Sequence, residues 1–458
     1  MEKCSPFQGV VTRRITKPQP KSAPESQTGF LAVWQQLIGR RDAPLLPVRS
    51  GRKPRVPLTQ LLPALIFHFM NGAGTLSQHF FQLFDAPLAD SSWADRRARL
   101  PWQVFAELMQ RALRPRATRR NNPEAFWRGL RLLALDGTQF SLTNTPQIRG
   151  AVKKSKCRRG RAAFAKLTAG VLLEIGLHNP LAAAIGRRGQ SEWELARGLL
   201  SQLPKGALLL ADRLHGCAAF AVEALAACRR VGSHFLFRAR GNIKVQVIRR
   251  FKDGSRLIRV PVRPKGDHHH ITQWLELREI RVSVGRKGHR RQKLLLWTSL
   301  LEAQEFPALE LAQLYSQRWE HELYYRELKG QLRRSDVLQS HTLETAAQEI
   351  AALVLASALV AVERARAAGG AVSVLRLSFV KVLELLRPLW LTLELAEDIL
   401  NERQKNQLVK RFQEHMKRCV TAKRRSRSCP RAVRRVVSKW PRLQQPHSVT
   451  TPLNFRLL

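Results

Sequence analysis

The sequence has few acidic residues for its length. Its 458 residues include 34 Asp and Glu against 79 Lys and Arg, a formal net charge of +45. Such an excess predicts a polyanionic partner, most plausibly nucleic acid, with an anionic membrane surface as the competing partner. The hydrophobic fraction of 44% is that of a folded protein, which excludes a disordered basic tail as the description of the whole chain.

The sequence also lacks an obvious membrane segment. Residues 1–30 are polar and proline-rich and contain no apolar run of the kind found in signal peptides. The most apolar stretch, Ile350 to Val362, stops at Glu363, is too short to span a bilayer and predicts a buried helix. We therefore expect a cytoplasmic protein with no membrane partner, associated with the nucleoid when bound to DNA.

Cysteine is scarce and unpatterned. No CxxC pair occurs, and no histidine spacing suggests a zinc site, so we expect reduced thiols. The run His268 to His270 is compatible with metal binding, but a hydrophilic turn beside Gly266 and Asp267 is the favoured interpretation, and we assign it no metal. The six cysteines are Cys4, Cys157, Cys217, Cys228, Cys419 and Cys429.

The N-terminal part divides into a flexible basic leader, residues 1–30, and a helical region, residues 31–120. Within the helical region, apolar segments at 59–70 and 75–84 precede a third helix that begins near Asp90. A third helix that is basic favours a DNA reader of the helix-turn-helix type, although a generic helical bundle explains the same pattern. The basic residues of this helix are Arg96, Arg97 and Arg99.

Two apolar segments, each predicted to be a strand, lead directly to an aspartate. The segment RLLALDGTQFSL predicts a strand with Asp136 at its polar end, and GALLLADRLHG predicts a second that ends at Asp212, next to Arg213. Between them we expect strands at 167–175 and 181–185 and a helix from Ser191 to Leu203. Either aspartate alone suits an ordinary turn. An unpaired carboxylate at the edge of a buried sheet is costly unless a cation or a set of hydrogen bonds accepts it, and a divalent metal is one such acceptor.

Residues 121–241 are thus predicted to form the first part of an α/β core, and residues 300–368 the second part. Between these parts, residues 242–299 alternate like strands and predict a β-rich insertion. Trp274 and Trp297 in this insertion suit either stacking on an unpaired base or core packing. Residues 369–458 follow the Gly369-Gly370 break and are predicted to be helical and basic.

The stretch from Tyr315 to Gly330 predicts a helix with an unusual polar stripe. On a 3.6-residue repeat, four polar side chains lie within roughly 60° of one another, while Trp319, Leu323 and Leu328 anchor the flanks and back. A solvated face with an ordinary i,i+4 ion pair is the alternative. The four polar residues of the stripe are Tyr315, Arg318, Glu322 and Lys329.

The spacing Tyr-x(2)-Arg-x(3)-Glu-x(6)-Lys in this stripe resembles the signature of a group of bacterial insertion-sequence DDE transposases. LALDGT at Asp136 and LLADR at Asp212 are similar to the two aspartate motifs of that group. The resemblance implies an α/β fold: an RNase H-like catalytic core with a β-rich insertion, flanked by helical N-terminal and basic helical C-terminal regions. His321 departs from the group, whose members usually carry an aliphatic residue there.

The resemblance also implies a reaction. Asp136, Asp212 and Glu322 would be catalytic and would bind two Mg²⁺ ions, for which Mn²⁺ can substitute. Cut-and-paste transposition would follow, through a hairpin at the element end and strand transfer by the freed 3′-hydroxyl. A homodimer would act on double-stranded DNA, both transposon ends and target. The residues implied to contact DNA are Tyr315, Arg318, Lys329 and Arg213.

Two other functions remain open from the residues. A non-catalytic DNA-binding or compacting protein would explain the charge, with sequence-insensitive, steeply salt-dependent binding. An RNase H-like nuclease would use the same carboxylates to cut DNA without joining it. Only the acidic residues, and not the charge, distinguish the three functions.

Overall fold

In the computed structural model, helices precede and follow one large sheet. The structure describes residues 29–39, 56–157, 160–264, 266–267, 269–285, 291–333, 335–421 and 454–457. The basic leader predicted from the sequence, residues 1–30, therefore lies almost entirely outside the described residues, as does most of the predicted C-terminal region beyond residue 421. Five helices come first: α1 (Phe30–Ile38), α2 (Leu58–Met70), α3 (Leu76–Phe84), α4 (Asp90–Ala98) and α5 (Trp102–Ala112).

The first half of the sheet is built next. It contains β1 (Phe126–Trp127), β2 (Leu130–Ser141), β5 (Lys166–Glu174), β6 (Asn179–Ile185), β7 (Ala207–Ala211) and β8 (His234–Arg238). The short helix α6 (Pro146–Ala151) and a small hairpin of β3 (Lys156–Cys157) and β4 (Gly160–Arg161) follow β2. Helix α7 (Glu192–Leu199) precedes β7, and α8 (Ala218–Arg230) precedes β8.

The second half of the sheet is antiparallel. Its strands are β9 (Gln246–Arg250), β10 (Arg256–Val262), β11 (Gln273–Gly285), β12 (Gln292–Thr298) and β13 (Asn454–Leu457). Helices follow: α9 (Ala308–Tyr315), α10 (Trp319–Glu327), α11 (Leu343–Ala368), α12 (Phe379–Leu395) and α13 (Glu402–Arg418). The strand order is β6-β5-β2-β7-β8-β12-β11-β10-β9, with β1 paired to β2 and β13 to β11. The strands of the predicted insertion thus extend the sheet of the core.

The period-2 alternation of β2 and β7 decides which side chains face which layer. Leu133, Leu135 and Leu209 pack with α7 and α8. Leu132 and Leu210 pack on the opposite face with α9. Because successive side chains of a strand point to opposite faces, Asp136 lies on the same face as Leu132, toward α9. The apolar pattern that builds the core therefore also orients this carboxylate.

The predicted strands, the Ser191 helix and the mixed α/β architecture are confirmed. One detail was wrong: Asp136 does not end its strand. Strand β2 continues to Ser141 because β5 pairs with it along its whole polar half, as far as Ser141 opposite Lys166. The turn expected near His268 is supported, since the backbone N–H groups of His269 and His270 donate to Asp267. Cys217, Cys228 and Cys419 are free thiols.

Helix α4 uses part of its positive charge inside the protein. The Arg97 guanidinium donates to Gln348 Oε1 and Ser340 Oγ, at 3.2 and 2.9 Å, and to the carbonyl of Thr345. Arg97 therefore attaches α4 to the start of α11. Arg99 is exposed. DNA reading by this region stays a prediction.

Helix α11 is the central buried helix. Its 26 residues are long and apolar enough to cross a membrane, with a mean hydropathy of 1.8 in the most apolar 18-residue stretch, so the helix is longer than the run Ile350 to Val362 on which the prediction rested. However, 89% of its most apolar stretch is buried inside the protein, as expected for a core helix. Gly369 ends the helix in the left-handed conformation, with φ of 55°, which confirms the predicted break.

Candidate active site

Asp136 and Asp212 are brought together by neighbouring parallel strands. In the pairing of β2 with β7, Leu135 lies opposite Ala211, so the residue that follows each of them is an aspartate at the same level of the sheet. Adjacent strands lie about 4.8 Å apart, which makes the two carboxylates neighbours. The two aspartate motifs, 76 positions apart in the sequence, thus meet at one edge.

The loop after Asp212 is tightly fixed. Asp212 Oδ1 accepts a hydrogen bond from the backbone N–H of Leu214 at 2.8 Å and lies 3.1 Å from His215 Nδ1. Gly216 permits this path, because a Cβ there would lie 1.8 Å from the carbonyl oxygen of Arg238. Arg213 is exposed beside the carboxylate. The loop therefore fixes one aspartate and presents a cation to solvent.

The predicted helix from Tyr315 is divided into segments. Helix α9 continues through a 3₁₀ turn at Ser316–Arg318 into α10 and then a π-helical turn at Leu328–Leu332. Arg318 lies at the first junction. Its guanidinium contacts Glu322 Oε1 at 2.7 Å and Asp136 Oδ2 at 3.3 Å. The i,i+4 pair exists, but Arg318 also reaches a residue 182 positions away, which argues against a simple solvated face.

Tyr315 and Lys329 attach this helix to the sheet. The buried Tyr315 hydroxyl donates to the carbonyl of Ala211, just before Asp212, at 3.2 Å. Lys329 Nζ donates to the carbonyl of Gln139 at 2.7 Å and lies 4.9 Å from the centroid of the Phe140 ring. Both ends of the stripe thus contact the strands that carry the aspartates. Their predicted contacts with DNA phosphates stay a prediction.

Three aromatic predictions have distinct outcomes. Trp319 was expected to anchor the helix, but its residue is 53% exposed beside Arg318, so this expectation was wrong. Trp297 is fully buried and its Nε1 donates to Glu279 at 3.4 Å, which identifies it as a core residue. Trp274 is 41% exposed and stays compatible with stacking. Leu328 is buried, as expected.

His321 points away from the polar stripe, as its helical position predicted. Its Nε2 lies 3.0 Å from the carbonyl oxygen of Val171, and the residue is fully buried. Burial lowers the pKa of His321 to about 3, so the ring is neutral and donates through Nε2. His321 therefore packs the helix against β5.

Sequence analysis missed two further members of the site. Glu192, the first residue of α7, accepts a hydrogen bond at Oε1 from the backbone N–H of Gly137 at 3.2 Å. The Tyr325 hydroxyl donates to the carbonyl of Asp136 at 2.8 Å. No motif in the sequence marks Glu192. Tyr325 lies one helical turn beyond Glu322, so the helical periodicity could have predicted that it faces the site.

The electrostatics of the two aspartates differ. Burial raises the pKa of Asp136 to about 7; Arg318 opposes this shift, and the nearby Asp212 and Glu192 add to it. Burial would also raise the pKa of Asp212, but His215 and the backbone N–H of Leu214 hold it below its usual value. The pKa of Lys329 is lowered to about 8, first by burial and then by Arg333 and Lys166. Asp212 is thus well supplied with hydrogen-bond donors, whereas Asp136 is not.

The residues fit a divalent cation by donor type. Carboxylate oxygens are the hard ligands that Mg²⁺ and Mn²⁺ prefer, and burial leaves Asp136 poorly compensated. In this structure the Arg318 guanidinium lies between Asp136 and Glu322 and partly neutralises both. Across the described ranges, no group of three or more His, Cys, Asp or Glu is arranged closely enough to hold a metal by itself. Asp136 and Glu322 can therefore share a cation only if the Arg318 guanidinium moves from between them.

Comparison with known proteins identifies the family of this chain. Residues 127–359, just over half of the chain, match the family model described as transposase DDE domain, and the chain belongs to that family. It is 31% identical over 241 residues to the transposase InsG for insertion sequence element IS4 of Escherichia coli K12, covering 52% of this chain and 53% of InsG. It is also 34% identical over 91 residues to the putative transposase InsZ of the same organism, covering 19% of this chain and 30% of InsZ.

The aligned part thus spans about half the length of InsG and less of InsZ. A cryo-EM structure of the piggyBac transposase synaptic complex with hairpin DNA aligns with a TM-score of 0.42 and 9% identity, over 84% of this chain and 85% of that one. A TM-score of this size carries no conclusion for this chain. The expected family, a DDE transposase, is confirmed by the sequence matches alone.

Proposed function

We propose that this protein is a DNA transposase that cleaves the ends of its own insertion sequence and joins the 3′-hydroxyl ends to target DNA. The observation that carries the proposal is the contact of Arg318 with both Asp136 and Glu322, beside Asp212 on the neighbouring parallel strand. These three carboxylates are the proposed catalytic and metal-binding residues. The cofactor is two Mg²⁺ ions, with Mn²⁺ as a substitute.

We also propose that the core is RNase H-like. Its first five long strands follow the order β6-β5-β2-β7-β8, in which three antiparallel strands are followed by two parallel ones. Under this assignment the β-rich segment 242–299 is an insertion, and regions 31–120 and 369–458 flank the core. The boundaries of these regions remain proposals.

The residues of this chain have separate tasks in the proposed reaction. Bound divalent ions supply activation of the attacking oxygen and stabilisation of the leaving oxygen. Asp136 and Asp212 would hold such ions at the sheet edge, and Glu322 would hold them from the helix. Arg318, if released from Glu322, would be able to contact a phosphate of the scissile strand. Tyr325 and Tyr315 keep the backbones at Asp136 and Ala211 in place.

The DNA-facing surface is proposed from exposure and charge. Arg213 is exposed beside Asp212, and Trp319 presents an aromatic face beside Arg318 on which a base can stack. Arg318, Lys329 and Tyr315 complete the set of proposed phosphate contacts, and the Tyr315 hydroxyl also holds the helix against the sheet. The net charge of +45 supports a polyanionic substrate. Action as a homodimer on paired ends, passage through a hairpin and a cytoplasmic location belong to the same proposal.

Glu322→Gln tests the proposal. With DNA that carries the element ends and Mg²⁺, we expect cleavage to be lost in this variant while DNA affinity at fixed salt persists. Glu310→Gln is the matched control, because Glu310 lies on the preceding helix and pairs with Arg128 at the surface. Cleavage by the Glu322→Gln variant at the wild-type rate would contradict the proposal.

The same preparations separate the alternatives. A pre-cut 3′-hydroxyl end supplied with target DNA should be joined by the wild-type protein. Cleavage without joining would identify a nuclease, and sequence-insensitive binding without cleavage would identify a compacting protein.

A further inference from the structure

Glu192 has no structural task that explains its position. Helix α7 is already capped: Ser191 accepts from the backbone N–H of Glu194, and the Glu194 carboxylate accepts from the backbone N–H of Ser191. This reciprocal pair satisfies the first free donors of the helix. Glu192 is therefore not needed as a cap, and its side chain instead turns toward the sheet.

Gly137 makes this orientation possible. A Cβ at Gly137 would lie 2.3 Å from Glu192 Cγ and 2.4 Å from Cδ, so any other residue there would collide with the glutamate. The Glu192 side chain thus lies flat on the backbone of β2, directly after Asp136. Its Oε1 accepts from the Gly137 N–H, which also donates to Asp136 Oδ1. The glycine of the LALDGT motif leaves space for a second carboxylate.

The charge of this region then becomes unbalanced. Asp136, Asp212, Glu192 and Glu322 supply four carboxylates, and Arg318 contacts two of them. Glu192 interacts unfavourably with both aspartates, and His215 lies close enough to oppose the rise in the pKa of Glu192 that burial causes. In a protein with a net charge of +45, such a local concentration of negative charge favours the binding of a cation.

We infer that Glu192 is a fourth carboxylate of the active site, and that it contributes a ligand, directly or through a bound water, to a divalent cation held by Asp136 and Asp212. The inference rests on the proposed function, because it assigns a further residue to the same site. Gly137 acts as a positioning residue by leaving the space that Glu192 occupies.

Mn²⁺ binding to the full-length protein tests the inference without an activity assay. Free Mn²⁺ is followed by electron paramagnetic resonance during titration, and circular dichroism verifies that each variant is folded. We expect Glu192→Gln to weaken Mn²⁺ affinity by about tenfold or more, as is usual when a supporting ligand of a metal is removed. Glu194→Gln is the matched control, because it removes the same charge two positions further along α7. This variant should change the Mn²⁺ affinity by less than about twofold.

A double-mutant cycle tests the role of Gly137. Gly137→Ala should weaken Mn²⁺ binding in the wild-type background, because the added methyl group displaces Glu192. In a Glu192→Ala background the methyl group has nothing to displace, so the same substitution should have little further effect. Fully additive effects would contradict the proposed contact.

Asp136→Asn serves as the reference that keeps the two hypotheses distinct. If Asp136→Asn weakens Mn²⁺ binding and Glu192→Gln binds like wild type, the inference about Glu192 is wrong and the proposed cation site stands. If neither variant changes Mn²⁺ binding, the cation site of the proposed function is itself wrong.

Discussion

Two carboxylates on adjacent strands, Glu174 on β5 and Asp136 on β2, have opposite surroundings. Glu174 is fully buried and accepts hydrogen bonds from the backbone N–H groups of Arg116 and Ala117 and from Asn179 Nδ2, at 3.0 to 3.1 Å, besides an ion pair with Arg131. Asp136 accepts a hydrogen bond from the backbone N–H of Gly137 and another, 3.3 Å long, from the Arg318 guanidinium.

The difference separates structural from functional acidic residues. A buried carboxylate with a full set of donors stabilises the fold, since its charge is compensated within the protein. Asp136 lies among other carboxylates, and its raised pKa, about 7, reports an incomplete set of donors. A buried acidic residue that the protein leaves undersupplied is therefore the better candidate for binding an external cation.

Asp212→Asn should produce the largest effect on activity. Removing one proposed cation ligand should lower cleavage on the order of ten-thousandfold, about 5.5 kcal/mol of transition-state stabilisation. Thermal unfolding should be little changed, because the loss concerns the reaction and not the core. Single-turnover cleavage of an end-bearing duplex gives the rate. Retention of more than about a tenth of the wild-type rate would place Asp212 outside the reaction.

Glu174→Ala should have the opposite profile. Four donors would lose their shared acceptor, so we expect the free energy of unfolding to fall by about 3 to 5 kcal/mol. The cleavage rate per folded molecule should stay within about threefold of wild type, since Glu174 is distant from the proposed reacting groups. Urea unfolding measures the first quantity and active-site titration normalises the second. A stable but inactive variant would remove the distinction between the two carboxylates.

The pH dependence of stability should differ between wild type and Asp136→Asn. Asp136 has a pKa of about 7 in the folded protein, against an ordinary value of 3.8 in the unfolded chain. The protonated acid therefore stabilises the fold below about pH 4, and this contribution is lost as the pH rises through 7. Relative to the neutral Asn, wild type should lose about 2 to 4 kcal/mol over this interval in metal-free buffer.

Added Mn²⁺ provides the control for this pH dependence. At pH 7 the ion should restore much of the lost stability in wild type and little in Asp136→Asn, because only the carboxylate can bind it. A stability difference that stays constant between pH 4 and pH 7 would indicate that Asp136 ionises normally in the folded protein.

His321→Leu should have the smallest effect. The ring is neutral at physiological pH, with a pKa of about 3, and one hydrogen bond to Val171 is exchanged for apolar packing. We expect a stability change of about 1 kcal/mol of either sign and cleavage within about twofold of wild type. A large loss of activity would mean that His321 does more than pack the helix.

Local sequence patterns were sufficient for much of the fold. The apolar strands before Asp136 and Asp212 and the capping pair at Ser191 and Glu194 were predictable because each depends on neighbouring residues. That Asp136, Asp212 and Glu322 belong to one site was suggested only by the motif of a known family. The pairing of β2 with β7, which brings the aspartates together, depends on tertiary packing that no local pattern encodes.

The missed features have a common cause. Glu192 enters the site only because α7 packs across β2 at Gly137, and Trp319 is exposed only because α10 rotates its buried face toward His321 and Tyr325. Arg97 contributes to the basic character of the third predicted helix, but its partners lie about 250 positions along the chain. In each case the sequence identifies the side chain while the contact depends on a distant element.

The most direct measurement is anomalous diffraction from crystals of the protein bound to end DNA and soaked in Mn²⁺. We predict anomalous peaks between Asp136 and Asp212, with Glu322 as a ligand and Arg318 withdrawn from it. An absence of peaks at this edge of the sheet, with Arg318 still joined to Asp136 and Glu322, would contradict the central claim that these carboxylates bind divalent cations.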